Sequence, residues 1–181
     1  MLYTTRLPYT PALEPHEFNE HALIIDTETL GAGPSVEVIE LAVGDAAGRV
    51  VFQTLVRPAY NRLPPPSKHR RFETADFTAA PYWPDLWPEL AALVAGRLLV
   101  AYNAAFDRRA LAAECARRGL ASEERGWRCV MPLVKKALGA KRSPTLTEAC
   151  ARFGVEGGDH RAARDVEATY RLLRKLIPIR S

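Results

Sequence analysis

The 181-residue chain reads as a single α/β domain behind a short N-terminal extension. Three observations predict that class. Three apolar, β-branched runs follow one another between residues 23 and 56 with short links, helical periodicity then alternates with short apolar strands, and an amphipathic helix closes the chain. With 48% hydrophobic and 25% charged residues, the composition is that of a soluble globular domain large enough to bury its own core.

Residues 1–20 carry Pro8, Pro11 and Pro15 among Tyr3, Tyr9 and Phe18. That is too many prolines for a helix and too many aromatics for a flexible tail, so an extension docked on the domain (residues 21–181) or on a neighbouring copy is expected. The first strand runs through Leu23, Ile24, Ile25, Asp26, Thr27, Glu28 and Thr29, ahead of Gly31 and Gly33. Alternate strand residues share a face, which sets Asp26 and Glu28 side by side at the strand's end. Residues 36–43 and 50–56, joined by a turn from Gly44 to Gly48, complete an antiparallel meander.

Residues 57–71 break the pattern with Pro58, Pro64, Pro65 and Pro66, and gather Arg57, Arg62, Lys68, His69, Arg70 and Arg71. Such a loop either binds phosphate or is simply solvated. Leu86, Leu90, Leu93 and Val94 recur at helical spacing behind Asp85 as N-cap, with Pro88 in the first turn. Residues 98–102 form a fourth strand, and the stretch from Asn103 to Asp107 opens a helix that stops before Gly119. Residues 129–133 are expected to be strand or extended chain, leading to the basic residues Lys135, Lys136, Lys141 and Arg142.

Thr145 and Glu148 form a capping box for a helix that turns Leu146, Ala149, Cys150 and Phe153 to one side and ends at Gly154. The last helix begins near His160 and buries Ala162, Val166, Tyr170, Leu173 and Ile177. At about 100° per residue, Asp165 lies at the edge of that stripe. His160 belongs in the loop or first turn after Gly157 and Gly158, free to swing over a site that Asp165 lines.

Lys plus Arg exceed Asp plus Glu by 25 − 21 = 4, and with a pI near 9.1 the surface modestly favours a polyanionic partner. Cys115, Cys129 and Cys150 show no C-x-x-C spacing, which speaks against a zinc site or disulfide framework and for a reducing, cytoplasmic setting. Neither a secretory leader nor an apolar run of bilayer length is visible, so no membrane partner is expected.

Four acids therefore stand at element ends: Asp26, Glu28, Asp107 and Asp165. Carboxylates forced together either hold protons or attract a hard cation such as Mg²⁺ or Mn²⁺. Each also has a plainer reading. Asp26 and Glu28 are also what a strand ending in a polar turn looks like, Asp107 suits a first-turn dipole, Asn103 suits an N-cap, and Asp165 suits a surface ion pair.

Taken together, D-T-E-T followed by Gly, N-x-x-F-D after an apolar strand, and H-x-x-x-x-D at the final helix resemble the three motifs of the DEDDh (DnaQ-like) 3′→5′ exonucleases. That family includes the proofreading epsilon subunit of bacterial DNA polymerase III, ribonuclease T and oligoribonuclease. The resemblance spans about residues 22–177. It implies a ribonuclease H-like fold with a mixed five-stranded sheet and helices on both faces. It also implies two divalent ions, Mg²⁺ or Mn²⁺, held by Asp26, Glu28, Asp107 and Asp165, with His160 as general base. The chain departs from the family pattern at Leu30, where many members carry a second threonine, and at Tyr102, where a histidine often precedes the asparagine.

The implied function is hydrolysis of single-stranded DNA or short RNA from the 3′ end into 5′-mononucleotides. Thr27, Thr29, Leu30, Asn103 and Phe106 are the residues expected to seat the terminal nucleotide, and Lys135, Lys136, Lys141 and Arg142 either track the phosphates or form a solvated face. Single-stranded 3′ ends are the expected partner, with a DNA polymerase as a further one. The competing readings are a non-catalytic nucleic-acid- or polymerase-binding module of the same fold, and another metal-dependent hydrolase such as a phosphatase.

Overall fold

A computed structural model describes residues 10–31, 33–59 and 77–177. Tyr3, Pro8 and Tyr9, and the basic loop from Arg62 to Arg71, lie outside the described residues. The elements run β1 (Ala22–Leu30), β2 (Glu37–Asp45), β3 (Val50–Leu55), α1 (Trp83–Val94), β4 (Leu98–Ala101), α2 (Ala104–Arg117), β5 (Gly126–Cys129), α3 (Met131–Ala137), α4 (Leu146–Phe153) and α5 (Ala162–Leu176).

The strands form one mixed sheet in the order β3-β2-β1-β4-β5. The meander β1-β2-β3 is antiparallel, whereas β4 joins β1, and β5 joins β4, in parallel. The strand alternation of β1 divides the core. Leu23 and Ile25 enter one cluster with Trp83, Leu86 and Leu90 of α1 and Ala110 and Leu111 of α2. Ala22 and Ile24 enter a second with Val134 of α3, Ala149 and Cys150 of α4, and Val166, Leu172 and Leu173 of α5. Helices thus cover both faces, and a central strand buried on both sides reads as the near-continuous apolar run seen in the sequence.

That alternation also aims the polar end of β1. Asp26 and Glu28 continue the face covered by α5, and Thr27 continues the face covered by α2. Between Glu28 and Thr29 the pairing shifts, Glu28 standing opposite Glu40 and Thr29 opposite Val38, so the strand bulges where its acids end.

Several boundaries differ from expectation. Helix α1 starts at Trp83, a turn earlier than Leu spacing suggests, because Trp83 and Trp87 stack at 5.6 Å and extend the buried stripe. Asp85 is consequently the third helical residue, accepting the Tyr82 N–H at 3.1 Å, and Pro88 falls in the second turn. The expected extended piece at 129–133 ends at Cys129; Pro132 suits a helix's first turn, and Val130 and Val134 are buried one turn apart, which makes α3. Helix α4 has its capping box as expected, with Glu148 N–H on Thr145 Oγ1 at 3.2 Å and Thr145 N–H on Glu148 Oε2 at 2.8 Å.

The described part of the extension docks on its own domain. Leu13 N–H donates to the Cys129 carbonyl at 3.1 Å, and Cys129 N–H donates to that of Pro11 at 2.9 Å, so residues 11–13 run along the β5 edge. Leu13 and Phe18 are buried in the α5-side core, and Arg128 grips Glu17 through two nitrogens at 2.7 and 2.5 Å.

Candidate active site

Asp107 lies in the first turn of α2, buried, and its Oδ1 accepts both the N–H and the hydroxyl of Thr27 at 2.9 Å. Those two bonds lock the start of α2 to β1. Asp165 lies in the first turn of α5, also buried, and its Oδ1 accepts the Asp159 N–H at 3.1 Å. It is therefore not a surface acid. Glu28, His160 and Asp165 each bring a ligand atom within 4.8 Å of the other two. Asp26 sits among them, feeling the charges of Asp107, Asp165 and Glu28. All four acids predicted from the sequence, and His160 with them, meet at the end of β1.

The cluster holds more negative charge than its surroundings compensate. Burial pushes Asp26 well above the usual carboxylate range, and its acidic neighbours, Glu40 included, push it further. Some of its surface still meets solvent, but the protein around it excludes the water that would stabilise its charge. Burial raises Asp107 to about 7 against the downward pull of its Thr27 hydrogen bonds, and Asp165 to about 6 against the Asp159 N–H. An oxygen-rich set of this kind, short of positive charge, fits a hard divalent cation. The imidazole of His160 is exposed beside it on a backbone with φ 61°, in the loop ahead of α5, the first of the two places expected for it.

The residues expected to seat a nucleotide divide into two groups. Asn103 and Phe106 are exposed and Thr29 is half-buried, all near the acids in sequence. Asn103 stands at the N-cap of α2 without a side-chain capping bond. Thr27 is buried with its hydrogen-bonding capacity turned to Asp107, and Leu30 is buried with Ile39 and Phe77. Of the basic residues, Lys135 and Lys136 ride on α3, while Arg142 pairs with Glu148 of the α4 capping box. Tyr102 is buried and donates its hydroxyl to the Pro144 carbonyl at 2.9 Å, tying the end of β4 to the loop before α4.

Sequence reading missed Glu40 and Arg161. Glu40, opposite Glu28 on β2 and 7% exposed, accepts from Arg161 Nε and Nη2 at 3.1 Å each and from the Ala162 N–H at 3.0 Å. The available signal was an acid inside the apolar run V-E-V-I-E-L-A-V, since a buried carboxylate requires partners.

No helix among the described residues is long and apolar enough to cross a membrane. The profile of the RNase_T family, described as exonuclease, matches residues 23–173. An uncharacterized exonuclease, CP81, of Escherichia phage 186 is 31% identical over 163 residues, 81% of this chain and 83% of that protein. The structure of Exonuclease X in complex with 5′ overhanging duplex DNA superposes with a TM-score of 0.63 at 26% identity, over 86% of this chain and 90% of that one. The nuclease domain of 3′hExo, a DEDDh family member bound to rAMP, superposes at 0.64 over 88% and 96%, and at 18% identity that likeness speaks for the fold. The fold is thus ribonuclease H-like, as the sequence resemblance implies.

Proposed function

We propose, from the premise that the chain belongs to the RNase_T family of DnaQ-like, DEDDh exonucleases, that it is a metal-dependent 3′→5′ exonuclease. Its substrate is single-stranded DNA or short RNA, from which it releases 5′-mononucleotides. The observation that carries this reading is the convergence of Asp26 and Glu28 of β1, Asp107 of α2, Asp165 of α5 and His160 of the loop before α5 at the end of β1. Relatives described with duplex DNA and with rAMP support a nucleic-acid substrate. No feature of the described residues favours a polymerase over a free strand as partner. A non-catalytic module gains nothing from a site in which none of the five residues is replaced.

Asp26, Glu28, Asp107 and Asp165 are the residues that would hold two ions, Mg²⁺ or Mn²⁺. When bound, such ions supply Lewis acidity toward the attacking water and charge neutralisation at the leaving oxygen. His160 takes the water's proton as its oxygen attacks phosphorus. The P–O3′ bond breaks, the leaving oxygen is protonated, and the products are a 5′-mononucleotide and a strand shortened by one with a new 3′ hydroxyl. Phe106, Asn103 and Thr29 offer surface to the terminal nucleotide, stacking on Phe106 tolerating any base. Thr27 and Leu30, packed inward, shape the floor beneath it.

Matched DNA and RNA oligonucleotides, labelled at the 3′ or the 5′ end and incubated with Mg²⁺ or Mn²⁺, test this. The 3′ label is expected to leave first as a mononucleotide while the 5′ label yields a descending ladder. Internal fragments, or full activity in Asp26→Asn, overturn it.

A further inference from the structure

Glu40 is a fifth carboxylate at a place already overloaded with them. It stands directly across from Glu28, where like charges destabilise a strand pair. The rest of β2 up to Gly44 is buried and, Glu37 apart, carries no charge. What the acid gains in place is a set of contacts to one short segment: the Arg161 guanidinium and the Ala162 N–H, the two residues that follow His160.

That segment needs holding. His160 is the single non-glycine among the described residues with positive φ, a conformation that L-residues adopt only when their surroundings impose it. On its N-terminal side the loop is already pinned: Thr147 Oγ1 donates to the Gly158 carbonyl at 2.5 Å, Asp159 N–H is on Asp165, and Arg164 pairs with Asp159 at 2.5 Å. On its C-terminal side the Asp165 N–H holds the Arg161 carbonyl at 2.9 Å, as the first turn of α5 begins, and Glu40 holds the Arg161 guanidinium and the Ala162 N–H from the sheet.

We propose that Glu40 is a positioning residue that, through Arg161 and the Ala162 amide, holds His160 in place over the acid cluster. Glu40 touches neither water nor substrate in this scheme; it acts through the histidine. The proposal rests on the reading of His160 as general base.

Glu40→Ala, alone and combined with His160→Ala, is compared on a 3′-labelled oligonucleotide with Mg²⁺. A base displaced by about 1 Å loses on the order of 100-fold in rate, so Glu40→Ala is expected to lower kcat by at least about 10-fold with KM within about twofold. In the His160→Ala background the same change is expected to cost less than about twofold, since the group it orients is gone. An equal loss in both backgrounds overturns the proposal, as does a loss confined to KM. Glu40→Gln, nearly isosteric, serves in the same cycle if the alanine variant does not fold, with a smaller fall of about threefold. Amide exchange of the metal-free protein reads the fastening without catalysis. Exchange at residues 160–162 is expected to quicken in Glu40→Gln or Glu40→Ala while residues 166–176 of α5 keep their protection; unchanged exchange at 160–162 overturns the proposal. An inactive wild-type protein sinks the exonuclease reading and leaves the exchange result to stand.

Discussion

Each acid of the site does something the fold alone would not ask of it. Asp26 is raised by burial and by four other carboxylates, so it weakens the metal-free fold that carries it. Asp26→Asn is therefore expected to abolish nuclease activity and yet raise Tm in EDTA at pH 8. For a domain of this size each kcal/mol regained is worth roughly 2–4 °C; a lower Tm in scanning fluorimetry would contradict the crowding. His160→Ala is expected to slow turnover by about 100-fold or more while Mn²⁺ binding by calorimetry is kept, the magnitude typical of a lost general base. At this scale the sequence was legible where spacing along one element decides neighbours, as for Asp26 and Glu28 two apart on β1. An acid inside an apolar run marked Glu40 as unusual, but nothing along the chain says that the register around the bulge sets that residue opposite Glu28.

Among the elements, the loop before α5 is the most constrained. Gly157 has φ +126° and a Cβ there would stand 2.5 Å from that of Ala168; Gly158 has φ +78° and a Cβ 2.9 Å from the Thr147 backbone. Neither backbone angle nor space admits a side chain. Gly157→Ala is expected to destabilise the protein by about 1–3 kcal/mol in urea titration and to depress activity beyond what the stability loss explains, because the strain falls on the segment that carries His160. A variant with wild-type turnover would show that the loop tolerates displacement. The two glycines are plain in the sequence, and with them a loop ahead of the last helix. That the loop delays the helix to Ala162 is a tertiary effect, since Glu40 caps that helix from a strand more than a hundred residues earlier. Helix α3 escaped notice for a related reason: seven residues are too few to show a period, and only the burial of Val130 and Val134 reveals it.

For the molecule as a whole, the crowded acids set a pH dependence. Asp107 and Asp165 have folded values of about 7 and about 6 against an ordinary 3.8, and Asp26 is raised as well. The folded state holds these protons more tightly than the unfolded chain does. Their contribution is complete below pH 3.8 and is lost as pH rises through about 7. Glu17, lowered by its bonds from Arg128, and Asp45, lowered against its burial by bonds from Arg49 and Ala47, act in the opposite sense: their contribution is full at neutral pH and is lost only as pH falls into the acid range. In EDTA, Tm is thus expected to fall between pH 5 and 8 by more in the wild type than in Asp26→Asn, and Mn²⁺ is expected to raise it more at pH 8 than at pH 5. Equal Mn²⁺ shifts at both pH values would place the ion elsewhere. The division into a meander followed by strand and helix alternation was legible from periodicity; the insertion of β4 beside β1 rests on parallel pairing that no local pattern announces.

The stretch around Ala12 laid along Cys129 carries a consequence for anyone trimming the protein to the span that the family profile matches, residues 23–173. Removing it strips the outermost strand of its cover and lays bare amide and carbonyl groups onto which a second polypeptide can add. The shortened protein, which also loses Leu13 and Phe18 from the core beneath α5, should self-associate in light scattering where the longer one does not.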